Sequence, residues 1–221
     1  MSEVISNSPS PEKGLIGDSA VFTRRKMFGL LAATGSGLLL STPGAHAFLN
    51  FFESYAPASS SLLADLGIPS EWRDRLGPYL PGYVQYVKSL GLQVVKVKAV
   101  IQPHTKVRGG VRNTLPPKAI WKNIRYTLKV VDGLASRLEL PPSELVSVYR
   151  SPAYNARCAG AKSNSYHIRN NAIDVKFPCS PGKVAAMAKE MRAAGLFRGG
   201  VGRYGGFTHI DTRGSNVDWR G

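Results

Sequence analysis

Ser165 to Phe177 reads SYHIRNNAIDVKF, and its second half alternates. Ile173, Val175 and Phe177 fall on one side of an extended chain, and Asp174 and Lys176 on the other. The pattern predicts a half-buried strand entered through a polar turn at Arg169-Asn170-Asn171. His167 stands before the turn and Asp174 on the polar face after it. GGFTHIDT, Gly205 to Thr212, supplies a second histidine and another aspartate. In a strand FTHID, residues two apart share a face, so His209 and Asp211 point the same way, away from Thr208 and Ile210.

Outward from these strands, LVSVY (Leu145 to Tyr149) predicts another strand, followed by a Ser-, Asn-, Gly- and Ala-rich loop from Arg150 to Asn164. Pro116-Pro117 opens a long helix in which Ile120, Ile124, Leu128, Val131, Ala135 and Leu138 keep helical spacing, and Pro141-Pro142 closes it. Ser180 and Pro181 are N-cap and first-turn residues of a second helix, with Val184, Met187, Ala188 and Met191 as its apolar stripe and Gly195 as its stop. Gly199 to Gly206 is expected to be a glycine-rich turn region. LQVVKVKAVIQ (Leu92 to Gln102) alternates at Val95, Val97 and Ala99 around Lys96 and Lys98, which predicts a half-buried strand. Leu62 to Tyr86, broken by Pro69, Pro78 and Pro81, predicts short helices. Helices and strands mix without a βαβ rhythm, so the expected class is α+β, a small antiparallel sheet with packed helices.

The 221 residues are 43% hydrophobic, which suits one medium domain with an appendage. Lys plus Arg is 29 against 14 acidic residues, a net charge of +15 that points to an anionic partner. No run of five basic residues and no basic helix with interleaved aromatics occurs, so an anionic wall or membrane surface is expected and nucleic acid is not. Residues 1–47 have the layout of a twin-arginine signal peptide. Arg24-Arg25-Lys26 precedes an apolar stretch from Met27 to Leu40, and Ala45-His46-Ala47 predicts cleavage after Ala47. The apolar stretch is short for a membrane span; an uncleaved anchor helix is the alternative. Only four basic and three acidic residues lie in that segment, so nearly all the positive charge belongs to the remainder. Residues 48–110 are expected to form an N-terminal arm and linker region. In an exported chain Cys158 and Cys179 are expected to form a disulfide, closing a loop worth about 3 kcal/mol in the chain-entropy model; the alternative is a pair of reduced thiols.

The chain has four histidines, and His46 leaves with the signal. His104 is expected at the surface. Two imidazoles and a carboxylate meeting from neighbouring strands, His167, Asp174 and His209, would make a three-ligand zinc site with a fourth position for water. The alternative is a hydrogen-bonded His–Asp pair with no metal.

SYHIRNNAID resembles the Ser-x-His-x(6)-Asp motif of the zinc D-Ala-D-Ala carboxypeptidase family of cell-wall metallopeptidases. FTHIDT is similar to that family's closing His-x-Asp motif, and VYRSPAYN (Val148 to Asn155) to its Gly-Tyr-Arg-Ser segment. VGRYGGFTHIDTRG (Val201 to Gly214) is most similar to the branch containing murein endopeptidase K, whose members also carry twin-arginine signals. The resemblance implies a hedgehog/D-Ala-D-Ala carboxypeptidase-like fold over residues 111–221 around one zinc ion held by His167, Asp174 and His209. It maps the family's conserved arginine onto Arg150, which would stabilise the oxyanion or hold a substrate carboxylate. Asp211 would be either the general base or a carboxylate orienting His209. Ser165 and Tyr166 are candidate substrate contacts. Three positions depart from the family: Asn170 and Val148 stand where glycine is usual, and Gly206 stands where dipeptide-trimming relatives carry a glutamate. The implied function is a periplasmic zinc endopeptidase cutting peptide crosslinks in peptidoglycan. A D-Ala-D-Ala carboxypeptidase and a non-catalytic peptidoglycan-binding module are the alternatives. The implied partners are peptidoglycan and the twin-arginine export machinery, with no stable membrane span after signal cleavage.

Overall fold

The structure is a computed structural model that describes residues 60–221. The expected signal peptide, its cleavage point and the start of the arm lie outside the described residues. Among those described, no helix is long and apolar enough to cross a membrane.

The centre of the fold is a five-stranded sheet. Its strands are β3 (Glu144–Ser147), β4 (Ala172–Lys176), β5 (Gly200–Arg203), β6 (Thr208–Asp211) and β7 (Val217–Arg220). They lie in the order β3-β4-β6-β5-β7, antiparallel except where β7 joins β5 in parallel. The expected antiparallel sheet is therefore mixed. A separate hairpin of β1 (Val107–Arg108) and β2 (Val111–Arg112) turns through Gly109 and Gly110, both at positive φ.

One face of the sheet is apolar. Ile173, Ile210 and Val201 are paired across β4, β6 and β5, and all three are buried. The two predicted long helices supply much of the rest of the core. Helix α5 (Ile124–Leu138), entered through a 3-10 turn at Lys118–Asn123, buries Ile124, Leu128, Val131, Ala135 and Leu138. Helix α7 (Pro181–Ala193) buries Val184, Ala188 and Met191 and leaves Met187 half-buried. The Ser180 hydroxyl accepts the Lys183 N–H at 3.2 Å as the predicted N-cap.

The stretch expected as arm and linker holds, from residue 60, the short helices expected between Leu62 and Tyr86. Short helices α1 (Ser60–Asp65), α2 (Glu71–Leu76) and α3 (Leu80–Ser89) bring Leu63, Trp72, Leu80, Tyr83, Val84 and Val87 into the same core cluster as Ile124 and Leu128. Each fully buried aliphatic side chain among them stabilises the fold by about 1.5–3 kcal/mol.

Three expectations are corrected. First, Leu92 to Gln102 forms no strand: Val97–Ile101 is a helix, α4, followed by a 3-10 turn at Gln102–Thr105. The backbone N–H groups of Gln93, Val94 and Val95 find no neighbouring strand. They donate instead to the buried Asp132 carboxylate of α5, each at 2.9 Å. Second, Gly199 to Gly206 is more than a turn, since Gly200–Arg203 is β5. Third, Cys158 and Cys179 are free thiols. Cys158 follows the short helix α6 (Pro152–Asn155), and its S–H donates to the Tyr154 carbonyl at 3.5 Å. Cys179 lies past the far end of β4, in a bridge with Phe177.

Candidate metal centre

Strand register builds the site. One lateral row crosses all five strands: Ser147 on β3, Asp174 on β4, His209 on β6, Gly202 on β5 and Trp219 on β7. Laterally paired residues present their side chains on the same face, so Asp174 and His209 stand side by side. The β3–β4 register slips between Leu145 and Ser147, which brings Ser147 opposite Asp174. His167 arrives from the turn that precedes β4, not from a strand, and so does Ser165. Asn170 supports that turn at φ 56°, a left-handed conformation that asparagine tolerates better than most residues. Its side-chain amide donates to the Ile120 carbonyl at 3.0 Å.

Three donor atoms converge. His167 Nε2 is 3.3 Å from His209 Nδ1 and 3.2 Å from Asp174 Oδ1, and His209 Nδ1 is 2.8 Å from Asp174 Oδ1. All three residues are buried. Two further contacts aim the ring nitrogens. His167 Nδ1 lies 2.6 Å from the Val148 carbonyl, which can only accept, so this nitrogen carries the proton and Nε2 keeps its lone pair. His209 Nε2 donates to Asp211 Oδ2 at 3.0 Å, which leaves a lone pair on Nδ1. Both imidazoles thus present an unprotonated nitrogen to the same point.

The charges bear on the two imidazoles unequally: they favour a neutral His167, whereas an ion at His209 would have to displace a proton from Nδ1. Burial lowers the pKa of His167 below the ordinary imidazole value. Burial also opposes ionisation of Asp174, but the facing imidazoles outweigh it and hold that carboxyl well below the usual range. Burial works against a charged His209, but hydrogen bonds to Asp174 and Asp211 raise its pKa. Arg150 ties the outer oxygen of Asp174 through Nη2 and donates from Nε to the Ser147 hydroxyl at 2.7 Å. Asp174 therefore keeps Oδ1 for the centre while Oδ2 is held.

Asp211 is fully buried beneath this centre. Its Oδ1 accepts from Arg213 Nε at 2.8 Å and from the Gly200 N–H at 3.1 Å. Its Oδ2 is shared by His209 and Arg213 Nη2. Burial opposes its charge, but Arg213 and His209 prevail and its pKa is lowered.

The centre opens into a cleft of about 630 Å³. Arg150, Ser165 and Tyr166 line it, together with Lys162. The Ser165 hydroxyl also accepts the His167 N–H at 3.3 Å. Asp174 is the one carboxylate in the lining, and Asp211 is not part of it. His104, expected at the surface, is fully buried; it stands 5.6 Å from the Tyr83 ring, and its Nδ1 lies 3.1 Å from the Thr114 carbonyl. Sequence reasoning missed Arg213, Tyr204, Phe207 and Trp219, which also line the cleft. The alternating glycines of GVGR were the available signal: two missing side chains on one face of a strand mark the close approach of something bulky.

The model of the Peptidase M15 family matches residues 95–211, more than half of the chain and every ligand candidate. The chain belongs to the peptidase M15 family. No curated protein and no solved structure gives a significant match. M15 peptidases are zinc-dependent metallopeptidases, and the donor set of this M15 chain suits that metal. A tetrahedral ion with bonds of about 2.0–2.1 Å separates its ligands by about 3.3 Å, close to the observed spacing of the three donors. Two neutral imidazoles and one carboxylate are also zinc's usual partners in catalytic sites.

Proposed function

We propose that this M15 peptidase is an exported zinc endopeptidase that hydrolyses peptide crosslinks in peptidoglycan. The observation that carries the proposal is the convergence of His167 Nε2, Asp174 Oδ1 and His209 Nδ1 beside a cationic and aromatic cleft. The twin-arginine segment supports a periplasmic destination, and the charge of +15 suits an anionic wall.

When bound by His167, Asp174 and His209, zinc would supply Lewis acidity toward the scissile carbonyl and toward water. The protein's own residues do the rest. Val148 and Asp211 hold the two imidazoles in the tautomers that bind metal. Asp211 is a positioning residue: it is buried, and its oxygens are engaged by His209, Arg213 and the Gly200 N–H. Gly206 supplies no base either. Arg150 and Lys162 give the cleft positive charge that would draw a stem-peptide carboxylate. Arg150 also fixes Asp174, so it serves the centre and the substrate together.

A D-Ala-D-Ala carboxypeptidase is the second reading, favoured by the same cations, because its substrate ends in a free carboxylate. The cleft of about 630 Å³ is large enough for a stem peptide of either kind, and the twin-arginine segment together with the similarity of Val201 to Gly214 to the endopeptidase branch favours the crosslinked substrate. Digestion of purified wall material by the full chain, with and without a chelator, tests the proposal. New muropeptides released only with zinc are expected. Loss of terminal D-Ala alone identifies the carboxypeptidase, and wall binding without cleavage refutes hydrolysis.

A further inference from the structure

Trp219 lies beyond the residues matched by the family model, on the last strand, yet its ring centroid is 5.1 Å from that of His209. Gly202 separates the two in the lateral row. A Cβ at Gly202 would come within 2.4 Å of the indole; one at Gly200 would meet Asp211 Oδ2 at 2.4 Å and the indole at 2.8 Å. Gly202 is thus the space the indole occupies as it lies back across β5 toward β6, and Gly200 makes room for both the indole and the Asp211 carboxylate. The indole N–H donates to the Tyr204 hydroxyl at 3.0 Å. Tyr204 in turn stacks on Phe207, with ring centroids 4.5 Å apart and planes 13° from parallel. The Arg213 guanidinium sits 5.2 Å from the Trp219 ring centroid and 4.1 Å from that of Tyr166. Trp219, Tyr204 and Phe207 all line the cleft.

Structural packing alone does not account for this arrangement. A large ring at 219 demands glycine at 202 and crowds 200, which Asp211 also crowds, and glycine weakens a strand. What the fold gains is a rigid aromatic surface at the edge of the metal centre, with its polar tip anchored. Aromatic faces bind the apolar face of a peptide at low conformational cost, since their rings have few rotamers to lose.

We propose that Trp219, backed by Tyr204 and Phe207, is a specificity-determining shelf that seats the stem peptide beside the metal centre and selects which bond reaches it. The proposal rests on the cleft being the peptide-binding cleft. Trp219 does not touch the ligand atoms' lone pairs, so its loss should weaken substrate binding and leave the chemistry.

Two readouts test it. The first is intrinsic fluorescence of the full chain without zinc, titrated with soluble crosslinked muropeptides. The other two tryptophans, Trp72 and Trp121, are buried at 9% and 5% exposure, so a response to ligand reports on Trp219. A saturable change is expected in the wild type and none in Trp219→Phe. The second is steady-state cleavage of the same muropeptides by the zinc-loaded protein. Trp219→Ala should raise KM roughly tenfold with kcat within about threefold, and Trp219→Phe should raise it less. Tyr204→Phe, which removes only the anchoring hydroxyl, should give an intermediate KM with the fold intact, and keeps the test open if Trp219→Ala does not fold. Cleavage by the wild type with KM unchanged in Trp219→Phe and Tyr204→Phe overturns the shelf while leaving the peptidase reading in place. A fluorescence response without cleavage supports the shelf and removes the endopeptidase reading. No fluorescence response to muropeptides in the wild type overturns the shelf directly.

Discussion

Replacing Asp211 by asparagine separates two roles that the sequence left open. The carboxylate fixes the tautomer of His209 by accepting from Nε2 at 3.0 Å. An asparagine of the same shape can turn its NH2 toward Nε2, which moves the imidazole proton to Nδ1 and blocks the nitrogen aimed at the centre. Oδ1 faces three donors, the Gly200 and Arg213 backbone N–H groups and Arg213 Nε, so the amide oxygen takes that side and its nitrogen faces His209 and Arg213 Nη2. Loss of such an outer hydrogen bond typically lowers metal affinity about 10–100-fold, which corresponds to about 1.4–2.7 kcal/mol. Zinc affinity is measured by competition with a coloured chelator at pH 7.5, on wild type and Asp211→Asn, with circular dichroism as a check on folding. The expected result is a zinc Kd raised by that factor, with most of the activity returning at saturating zinc. An unchanged Kd together with kcat lowered 100-fold or more at saturation would refute the positioning role and restore Asp211 as the base.

His167→Ala and His209→Ala should each abolish stoichiometric zinc binding and all chelator-sensitive cleavage, while Asn164→Ala on the cleft wall should retain zinc. Gly202→Val should lower stability by at least about 2 kcal/mol through overpacking against Trp219, read as a fall in the urea midpoint. Asp132→Ala should cost about 3 kcal/mol by the same assay, because three backbone N–H groups lose their acceptor. His104 is buried with its pKa pushed down to about 4 by desolvation, against an unfolded value near 6.5. The unfolded chain therefore binds the extra proton first as pH falls. This group costs nothing above pH 6.5, and its destabilisation grows from there down to pH 4, reaching about 3 kcal/mol. His104→Gln should flatten the loss of stability between pH 6.5 and 4 relative to wild type, and an identical slope would show that His104 is not the group responsible.

Local pattern carried much of the fold. Alternation in AIDVKF located β4, and helical spacing from Ile124 to Leu138 located α5, because both elements bury one face against the core. The same logic failed at Leu92 to Gln102. Alternation there looked like a strand, but the available acceptor was the carboxylate of Asp132, about forty residues away. Strands β5 and β7 were invisible for the opposite reason. β5 is rich in glycine, and β7 is a four-residue strand with mostly exposed side chains, so neither has an apolar face to read. Of the site, the ligand candidates stood in two motifs with a shared face. Trp219 emerges only from register, because the row that joins it to His209 runs through a residue without a side chain, and Arg213 only from its bonds to the buried Asp211. The cysteine expectation failed although the two are close in sequence: Cys158 is held after the short helix α6 and Cys179 in a bridge beyond β4, and both are free.

The most direct test of the metal centre is X-ray absorption at the zinc edge of the purified chain loaded with one equivalent of zinc. Two imidazoles and a carboxylate from His167, His209 and Asp174 predict nitrogen and oxygen neighbours at about 2.0–2.2 Å with no sulfur. A spectrum dominated by sulfur at about 2.3 Å, placing the ion on Cys158 or Cys179, would contradict the account, as would failure to retain one zinc per chain.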